Sequence, residues 1–128
     1  MTTNEFLKKT NVTIKMSGGY KMQMIRNKIV CKDGFTMSVQ ASEHHYCTPR
    51  VNGLDAYEEV EVGFPSMKEE LLMEYAEDPS NPTDTVYGYV PVEIVDEIIK
   101  KHGIDDANMT HEICEFLKEC IEEQCSMM

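Results

Sequence analysis

Apolar and polar residues alternate with a period of two in three stretches of the first 64 residues. Successive side chains of a strand point to opposite faces, so this alternation predicts three strands that each have one buried and one solvated face. The residues expected to face the core are Val12, Ile14 and Met16, then Phe35, Met37, Val39 and Ala41, and finally Val60, Val62 and Phe64.

An Asp-Gly pair joins two segments that are rich in β-formers. Asp33 and Gly34 stand between "IVCK" and "FTMSVQA", and this pair favours the positive φ values of a two-residue type I′ turn, which predicts a hairpin. The preceding "MQMIRNKIVCK" indicates either one bent strand or a hairpin that turns at "RNK". Further along, "TVYGYV" indicates a buried or central strand.

Helix signals are concentrated in the second half of the chain. Ser66 and Glu69 form the capping-box pattern "SMKE", which predicts a helix over about 67–77. Pro91 suits the first turn of the next helix, and Gly103 suits its C′ position. One face of that helix carries Val92, Val95, Ile98, Ile99 and His102, and the stripe of a last, amphipathic helix over about 110–125 carries Ile113, Phe116, Leu117, Cys120, Ile121 and Gln124.

Strands that precede helices predict an α+β fold, with a mostly antiparallel sheet of about four or five strands and two or three helices on one face. The opening "NEFLKK" leaves a short helix and a frayed end equally open. A chain of 128 residues fits one domain. We divide it into an N-terminal extension with the first strand (1–22), a core (23–104) and an acidic C-terminal helix (105–128).

The charges are divided unevenly along the chain, whose formal net charge is −11. Residues 1–50 hold eight Lys or Arg against three acids, a net charge of +5, whereas residues 51–128 hold four Lys against twenty acids, a net charge of −16. Such an acidic segment repels the phosphates of nucleic acid and favours a basic partner, so direct binding to duplex DNA is not expected. The alternative is that the acidic faces only keep the protein soluble.

The acidic residues of 55–77 and 112–123 form the candidate contact surface for a basic partner. They are expected to make one continuous negative face. The candidate binding residues are Glu58, Glu59, Glu61, Glu69, Glu70, Glu74, Glu112, Glu115, Glu119, Glu122 and Glu123.

The cysteines and the hydropathy bound the compartment and the cofactors. Five cysteines without a CxxC pair indicate neither a disulfide framework nor a zinc site. No apolar run reaches the roughly 18 residues of a membrane span, and the first residues lack the apolar region of a secretory signal. We expect a soluble, cytoplasmic protein with no cofactor, no metal and no contact with membranes.

The stretch "SEHHYCTPR" is the alternative ligand site, with His44, His45, Tyr46, Cys47 and Arg50 as its candidate residues. Cys47 with a histidine base would be a nucleophile, but a reactive thiolate needs a neighbouring cation or a helix N-terminus. Tyr46, Arg50 and one histidine would instead form a recognition surface for a protein or an anionic ligand. The alternative is that this segment has only a structural role, as the connection between a strand and a loop.

A metal site is the third chemical interpretation of the same stretch. Adjacent residues of an extended chain point to opposite sides, so His44 and His45 cannot easily bind one ion together. His44, Tyr46 and Cys47 could do so with a remote His102 or His111, although no spacing requires it.

Four segments resemble a family of small uncharacterised proteins of bacteriophages and prophages: "CKDGFTMSVQAS", "HYCTPR", "VEVGFPS" and "YAEDPSNPTDTVYGYVPVEIVDEIIKKHG". The similarity covers residues 25–104 and implies a phage setting, but it transfers no catalytic residue. By analogy with other small acidic phage proteins, we expect an anti-defence protein of the anti-CRISPR type.

Three functions therefore compete. The first is a non-enzymatic, phage-encoded inhibitor whose acidic surface mimics nucleic acid and occupies the basic groove of a host defence complex. The second is a small-ligand or nucleotide binder, or an enzyme, that uses residues 44–50. The third is a structural or assembly protein that forms a homodimer through the 110–125 helix or an open sheet edge.

Overall fold

The computed structural model describes residues 1–104 and confirms an α+β fold. The predicted helix over 110–125, with its five candidate glutamates, lies outside the described residues. None of the helices within residues 1–104 combines the length and the apolar character that crossing a bilayer requires. The elements are α1 (Thr3–Lys9), β1 (Thr13–Lys15), β2 (Lys21–Gln23), β3 (Ile29–Val30), β4 (Thr36–Gln40), β5 (Glu59–Gly63), β6 (Val86–Pro91) and α2 (Val92–His102), with short 3-10 helices at Ser17–Gly19 and Glu70–Tyr75.

The strands form two antiparallel sheets. β1 and β2 pair with each other in a small two-stranded sheet, whereas β3, β4, β5 and β6 form the main sheet in that order. Val62 is central to the main sheet, where it lies opposite Val39 of β4. The segment "MQMIRNKIVCK" is therefore neither one bent strand nor one hairpin, because β2 and β3 belong to different sheets.

One core joins the inner face of the main sheet to both α-helices. The inward residues predicted for β4 are fully buried, as are Val60 and Val62 of β5, so these predictions are confirmed. The helix residues in the same core are Phe6 and Leu7 of α1 and Val92, Val95, Ile98 and Ile99 of α2.

Helix α1 thus belongs to the core, and the description of residues 1–22 as an extension is wrong for it. Phe6 and Leu7 are 0% exposed. Thr3 also binds α2, because its backbone N–H and its hydroxyl both donate to Oδ1 of Asp96 at 2.6 Å. The apolar surface and this double hydrogen bond fix the start of the chain on the second helix.

A buried arginine ties α1 to the end of β4. Arg26 is 4% exposed, and its guanidinium donates to the hydroxyl of Thr10 at 2.8 Å and to the carbonyls of Ala41 at 3.0 Å and Leu7 at 3.4 Å. The side-chain amide of Gln40 accepts from Arg26 N–H and donates to its carbonyl. The sequence placed Arg26 either within a bent strand or at a hairpin turn, and it gave no sign of this burial.

The Asp33-Gly34 hairpin is present, but its turn is not of type I′. Of the loop residues, only Gly34 has a positive φ, of 92°. Its N–H donates to the carbonyl of Cys31 at 3.0 Å, while Cys31 N–H donates to the carbonyl of Phe35 at 2.8 Å. The loop therefore has three residues and ends in a left-handed glycine, as in a type I turn followed by a bulge.

The helix predicted over 67–77 is replaced by the 3-10 helix Glu70–Tyr75. Ser66 does not cap it, because the Ser66 hydroxyl accepts from Thr36 N–H at 3.0 Å. The Glu69 carboxylate is held by Lys101 and His102 of α2. Both halves of the expected capping box are thus occupied by tertiary contacts.

Three expectations about strand faces and positions are also wrong. Phe64 is 46% exposed and has a φ of 50°, so the chain turns outward where β5 was expected to continue inward. Met16 is 43% exposed, because β1 lies outside the main sheet. β6 is an edge strand instead of a central one, although Tyr87 is buried and Glu77 N–H donates to the carbonyl of Val86 along that edge.

Candidate functional site

The outer face of the main sheet carries a bulge where β5 meets β6. Val60 lies opposite Val90 and Val62 lies opposite Tyr87, so Gly88 and Tyr89 together face a single residue of β5. Bulges redirect side chains and are frequent beside functional sites. Tyr89 has a φ of 54°, a backbone conformation that non-glycine residues rarely adopt.

The segment 42–50 packs against this bulge. Tyr89 N–H donates to the carbonyl of Tyr46 at 3.0 Å, and Thr48 N–H donates to the carbonyl of Glu59 at 3.0 Å. A Cβ at Gly88 would lie 3.2 Å from Cβ of Tyr46. A glycine is therefore required at this position for the close approach of Tyr46.

Three tyrosines line a shallow groove at the bulge. The groove has a volume of about 310 Å³ and is lined by Tyr46, Tyr75, Tyr89, Glu77, Val86 and Gly88. The rings of Tyr46 and Tyr89 are tilted by 38° with their centroids 5.9 Å apart. Both side chains are more than two-fifths exposed, which is unusual for a pair of large aromatic residues in contact.

Charged groups of both signs flank these rings. The guanidinium carbon of Arg50 lies 5.5 Å from the ring centroid of Tyr46, which is within the range of a cation–π interaction. Burial raises the pKa of the nearby Glu61 carboxyl, and the negative charge of Glu77 raises it further. A hydrogen bond with the backbone of Tyr46 and the charge of Arg50 oppose this rise without cancelling it.

The residues of the alternative ligand site divide into a buried part and an exposed part. Cys47 is 1% exposed, and its Sγ donates to the carbonyl of Ser42 at 3.1 Å. Burial raises the pKa of this thiol, whereas a nucleophile needs a lowered one. His45 bonds the Ser42 hydroxyl through Nδ1 at 2.6 Å and lies 3.8 Å from a Glu61 oxygen.

His45 therefore has a structural role, in which its side chain holds the Ser42 hydroxyl. Burial and the positive charge of Arg26 lower its pKa. His44 points away from the groove and contacts the Tyr20 hydroxyl and the Glu43 carboxylate. Among residues 1–104, no group of three or more His, Cys, Asp or Glu side chains is arranged to hold a metal ion. Of the five candidates, Tyr46 and Arg50 are the two that the structure brings together at the surface.

The candidate acidic residues have different environments. Glu58, Glu70 and Glu74 are exposed. Glu59 and Glu61 are half-buried and point outward from β5, where Glu59 accepts a hydrogen bond from the Thr48 hydroxyl at 2.6 Å. The remaining five, Glu112, Glu115, Glu119, Glu122 and Glu123, lie outside the described residues.

Glu69 is not part of any exposed surface, and the interpretation of it as a contact residue is wrong. It is 2% exposed and pairs with His102 at 2.8 Å and with Lys101 at 2.9 Å. The other imidazole nitrogen of His102 lies 2.6 Å from Asp33, and its ring stacks on Phe35 at 4.1 Å. The sequence assigned these residues to a turn, a helix cap and a core face, so it gave no signal of the cluster.

The negative charge is also spread over more than one side of the molecule. Glu59 and Glu61 lie on the outer face of the sheet, whereas Glu93 and Glu97 are exposed on α2, which packs on the inner face. The acids of residues 1–104 therefore do not form one continuous negative face. Between described residues, the lysines that pair with carboxylates are Lys68 and Lys101, so the acids are not neutralised by lysines or arginines of the first 50 residues.

Sequence reasoning missed Tyr75 and Tyr89 as members of the site, and it included Glu77 only as one of the acidic residues of 55–77. One signal was present, because a glycine inside a strand pattern such as "TVYGYV" indicates a bulge or a close approach of another backbone. The 3-10 helix that carries Tyr75 was predicted as an α-helix, which would have placed its side chains differently.

Comparison with known proteins gives no relative from which a function can be inferred. No protein-family model matches the chain, and no curated protein or solved structure gives a significant match.

Proposed function

We propose that the protein is a non-enzymatic binding protein that docks on a basic protein surface through the outer face of its main sheet. In a phage setting, which the resemblance of residues 25–104 supports, it acts as an inhibitor of a nucleic-acid-handling host defence complex, as anti-CRISPR proteins do. The basic surface would then be the groove in which that complex holds nucleic acid.

The observation that carries this proposal is the combination of exposed tyrosines with acidic side chains around the bulge. Residues 57–89 hold nine Asp or Glu against one Lys, a net charge of −8; Glu69 among them is buried and paired elsewhere, whereas Glu61 and Glu77 lie at the bulge. Tyr46 and Tyr89 are exposed beside them. Interfaces are enriched in tyrosine, and acidic complementarity accelerates the encounter with a basic partner.

The alternative of an enzyme built on residues 44–50 receives little support from the geometry. The Cys47 thiol is buried with a raised pKa, and His45 is bonded to Ser42. Burial outweighs the charges of Arg50 and Arg26, which lower the pKa of the Cys47 thiol without cancelling its rise.

The proposal is tested by adding the protein to a panel of purified CRISPR effector complexes and measuring their binding to target DNA. We expect at least one complex to be inhibited at about 50 mM salt and inhibition to weaken strongly by about 300 mM salt, because exposed charges are screened. The matched variants are Glu74→Lys with Glu77→Lys, which lie beside Tyr75 and in the groove, and Glu93→Lys with Glu97→Lys on α2.

The first pair should abolish inhibition, whereas the second pair makes the same change of charge on the other side of the sheet and should leave most of it. Inhibition that does not depend on salt, or equal loss in both pairs, would contradict the assignment of the surface. If no effector in the panel is affected, the anti-CRISPR interpretation is wrong.

A further inference from the structure

The groove at the bulge already holds one cation at its rim. The Arg50 guanidinium lies over the face of Tyr46, while the second exposed ring, Tyr89, and the third, Tyr75, line the rest of the groove. Aromatic faces attract cations through the negative potential of the π-system. The rings that Arg50 does not cover are therefore available for a second cation.

We propose that the groove between Tyr75 and Tyr89 is a specific subsite for the guanidinium of an arginine on the partner protein. This inference rests on the proposed function, since it names the chemical group of the basic partner that the outer face recognises.

Charge complementarity favours a cation over any other occupant. Glu77 lines the groove, and Glu61 lies close enough to Glu77 for each carboxylate to repel the other. The raised pKa of Glu61 reflects burial and this repulsion. A cation bound in the groove beside Glu77 would offset this repulsion and would gain charge-assisted hydrogen bonds to the Glu77 carboxylate.

The shape of the groove favours arginine over lysine. A guanidinium is planar, stacks on aromatic rings and donates two parallel hydrogen bonds to a carboxylate, whereas an ammonium is a compact and strongly hydrated charge. A groove with tyrosine walls and a carboxylate at Glu77 offers both a stacking surface and an acceptor. Arg50 and Tyr46 make a cation–π contact of this kind within the same protein.

A nucleotide is the competing occupant, because tyrosines also stack on bases and Arg50 could bind a phosphate. The surrounding charge opposes it. Residues 57–89 carry a net charge of −8, and Arg50 is already engaged with Tyr46. The two occupants respond in opposite directions to the loss of Arg50, which makes them separable.

The experiment is an NMR titration of the protein, labelled with ¹³C in its tyrosine rings, with a tetra-arginine peptide. Tetra-lysine and AMP are the comparison probes. We expect the resonances of Tyr46, Tyr75 and Tyr89 to shift with tetra-arginine, and we expect tetra-lysine to bind at least about threefold more weakly. Tyr20, Tyr57 and Tyr87, which do not line the groove, are the internal controls.

Two variants should weaken tetra-arginine binding at least about fivefold, namely Tyr89→Gly and Glu77→Gln. Glycine accepts the positive φ of residue 89, so the first variant removes the ring without straining the backbone. Glu97→Gln removes the same charge as Glu77→Gln from exposed α2 and should change the affinity less than about twofold. If Tyr89→Gly does not fold, the comparison of Glu77→Gln with Glu97→Gln still tests whether the groove binds the guanidinium.

Arg50→Ala gives the sharpest contrast. It removes a neighbouring positive charge and uncovers the Tyr46 ring, so tetra-arginine should bind at least about twofold more tightly. The control is Lys100→Ala, which removes an equal charge from α2 and should increase the affinity for tetra-arginine by less. The proposal is overturned if tetra-arginine shifts only the control tyrosines, if Glu77→Gln and Glu97→Gln weaken binding equally, or if AMP binds the groove and Arg50→Ala abolishes that binding. Because the titration needs no host complex, its outcome is independent of whether any effector is inhibited.

Discussion

Glu69 and Glu61 lie in two regions of the same small domain, and their surroundings give the same carboxyl group opposite properties. Burial alone would raise the pKa of Glu69, but hydrogen bonds from His102 and Lys101 outweigh it, so that this pKa is lowered. Burial also raises the pKa of Glu61, and there the nearby Glu77 adds to the rise, so that the net change is upward.

The difference lies in the partners. The inner cluster of Asp33, Glu69, Lys101 and His102 offers a donor to each buried oxygen of Glu69, which makes it a structural clamp between the hairpin, the 3-10 helix and α2. The outer face has tyrosines, two carboxylates and Arg50, whose guanidinium contacts the ring of Tyr46. Its charges are incompletely compensated from within, in keeping with the binding surface that we propose.

The largest expected effect comes from breaking the inner cluster. Glu69→Ala leaves the imidazolium of His102 without its buried acceptor, so the free energy of unfolding should fall by about 3 kcal/mol. Urea unfolding measures the change. The neighbouring Glu70→Ala, whose side chain is 78% exposed, is the control and should change stability little; equal effects would show that Glu69 is not a clamp.

The pH dependence of stability should report the same cluster. Burial by itself would lower the pKa of His102, but hydrogen bonds to Glu69 and Asp33 raise it above the ordinary value of 6.5. The protonated histidine therefore stabilises the fold fully below pH 6.5, and this contribution is lost as the pH rises through the elevated pKa. Each unit of elevation corresponds to about 1.4 kcal/mol.

The two carboxylates set the acid side of this window. The pKa values of Glu69 and Asp33 are lowered from 4.5 and 3.8, so their contribution is present above those values and is lost as the pH falls through the lowered ones. Unfolding free energies measured from pH 5 to about pH 9 should decline above pH 6.5 in the natural chain. His102→Gln should flatten the decline and His44→Gln should not; an unchanged decline in His102→Gln would contradict the assignment.

A smaller loss of stability is expected from adding a methyl group at Gly88, where the backbone lies close to Tyr46. Gly88→Ala places a Cβ 3.2 Å from Cβ of Tyr46, so the segment 42–50 must shift and stability should fall by about 1 kcal/mol. Gly63→Ala is the matched control, because its Cβ would meet the nearest side chain at an ordinary 3.7 Å. Thermal unfolding and the ring resonances of Tyr46 give the readout, and an unmoved Tyr46 ring would argue against the close approach.

The smallest change in stability is expected from Glu61→Gln. Its sign should be opposite to that of Glu69→Ala. A raised carboxyl pKa means that the fold loses stability as the pH rises from 4.5 through the folded-state value, since ionisation is less favourable in the folded state. At pH 7 the neutral amide should therefore be tolerated or should stabilise by a few tenths of a kcal/mol. A thermal unfolding curve that moves downward by more than this would place Glu61 with Glu69 as a structural acid.

Local patterns in the sequence predicted the regular elements well. The alternation in "FTMSVQA" identified β4 and its buried face, and Pro91 and Gly103 bounded α2, whose Gly103 has a φ of 76° and donates to the carbonyl of Ile99. These features depend on contacts within a few residues. Their outcome is therefore visible in a short window of sequence.

Features that depend on distant contacts were not predicted. Ser66 and Glu69 match a capping box, yet both side chains bind partners that are 30 or more residues away. The tyrosine groove joins three segments, which carry Tyr46, Tyr75 and Tyr89, and no local pattern relates them. The expectation that Tyr46 and Arg50 act together was the part of the site that proximity in sequence could supply.

The buried Arg26 has a consequence for any shortened form of the protein. Its guanidinium is satisfied largely by α1, through the hydroxyl of Thr10 and the carbonyl of Leu7. A chain begun at residue 23 would keep the positive charge but lose these acceptors, and it would expose the apolar surface that Phe6 covers. Truncation to residues 23–104 should therefore yield an insoluble product. The first ten residues are as necessary to the fold as the strands are.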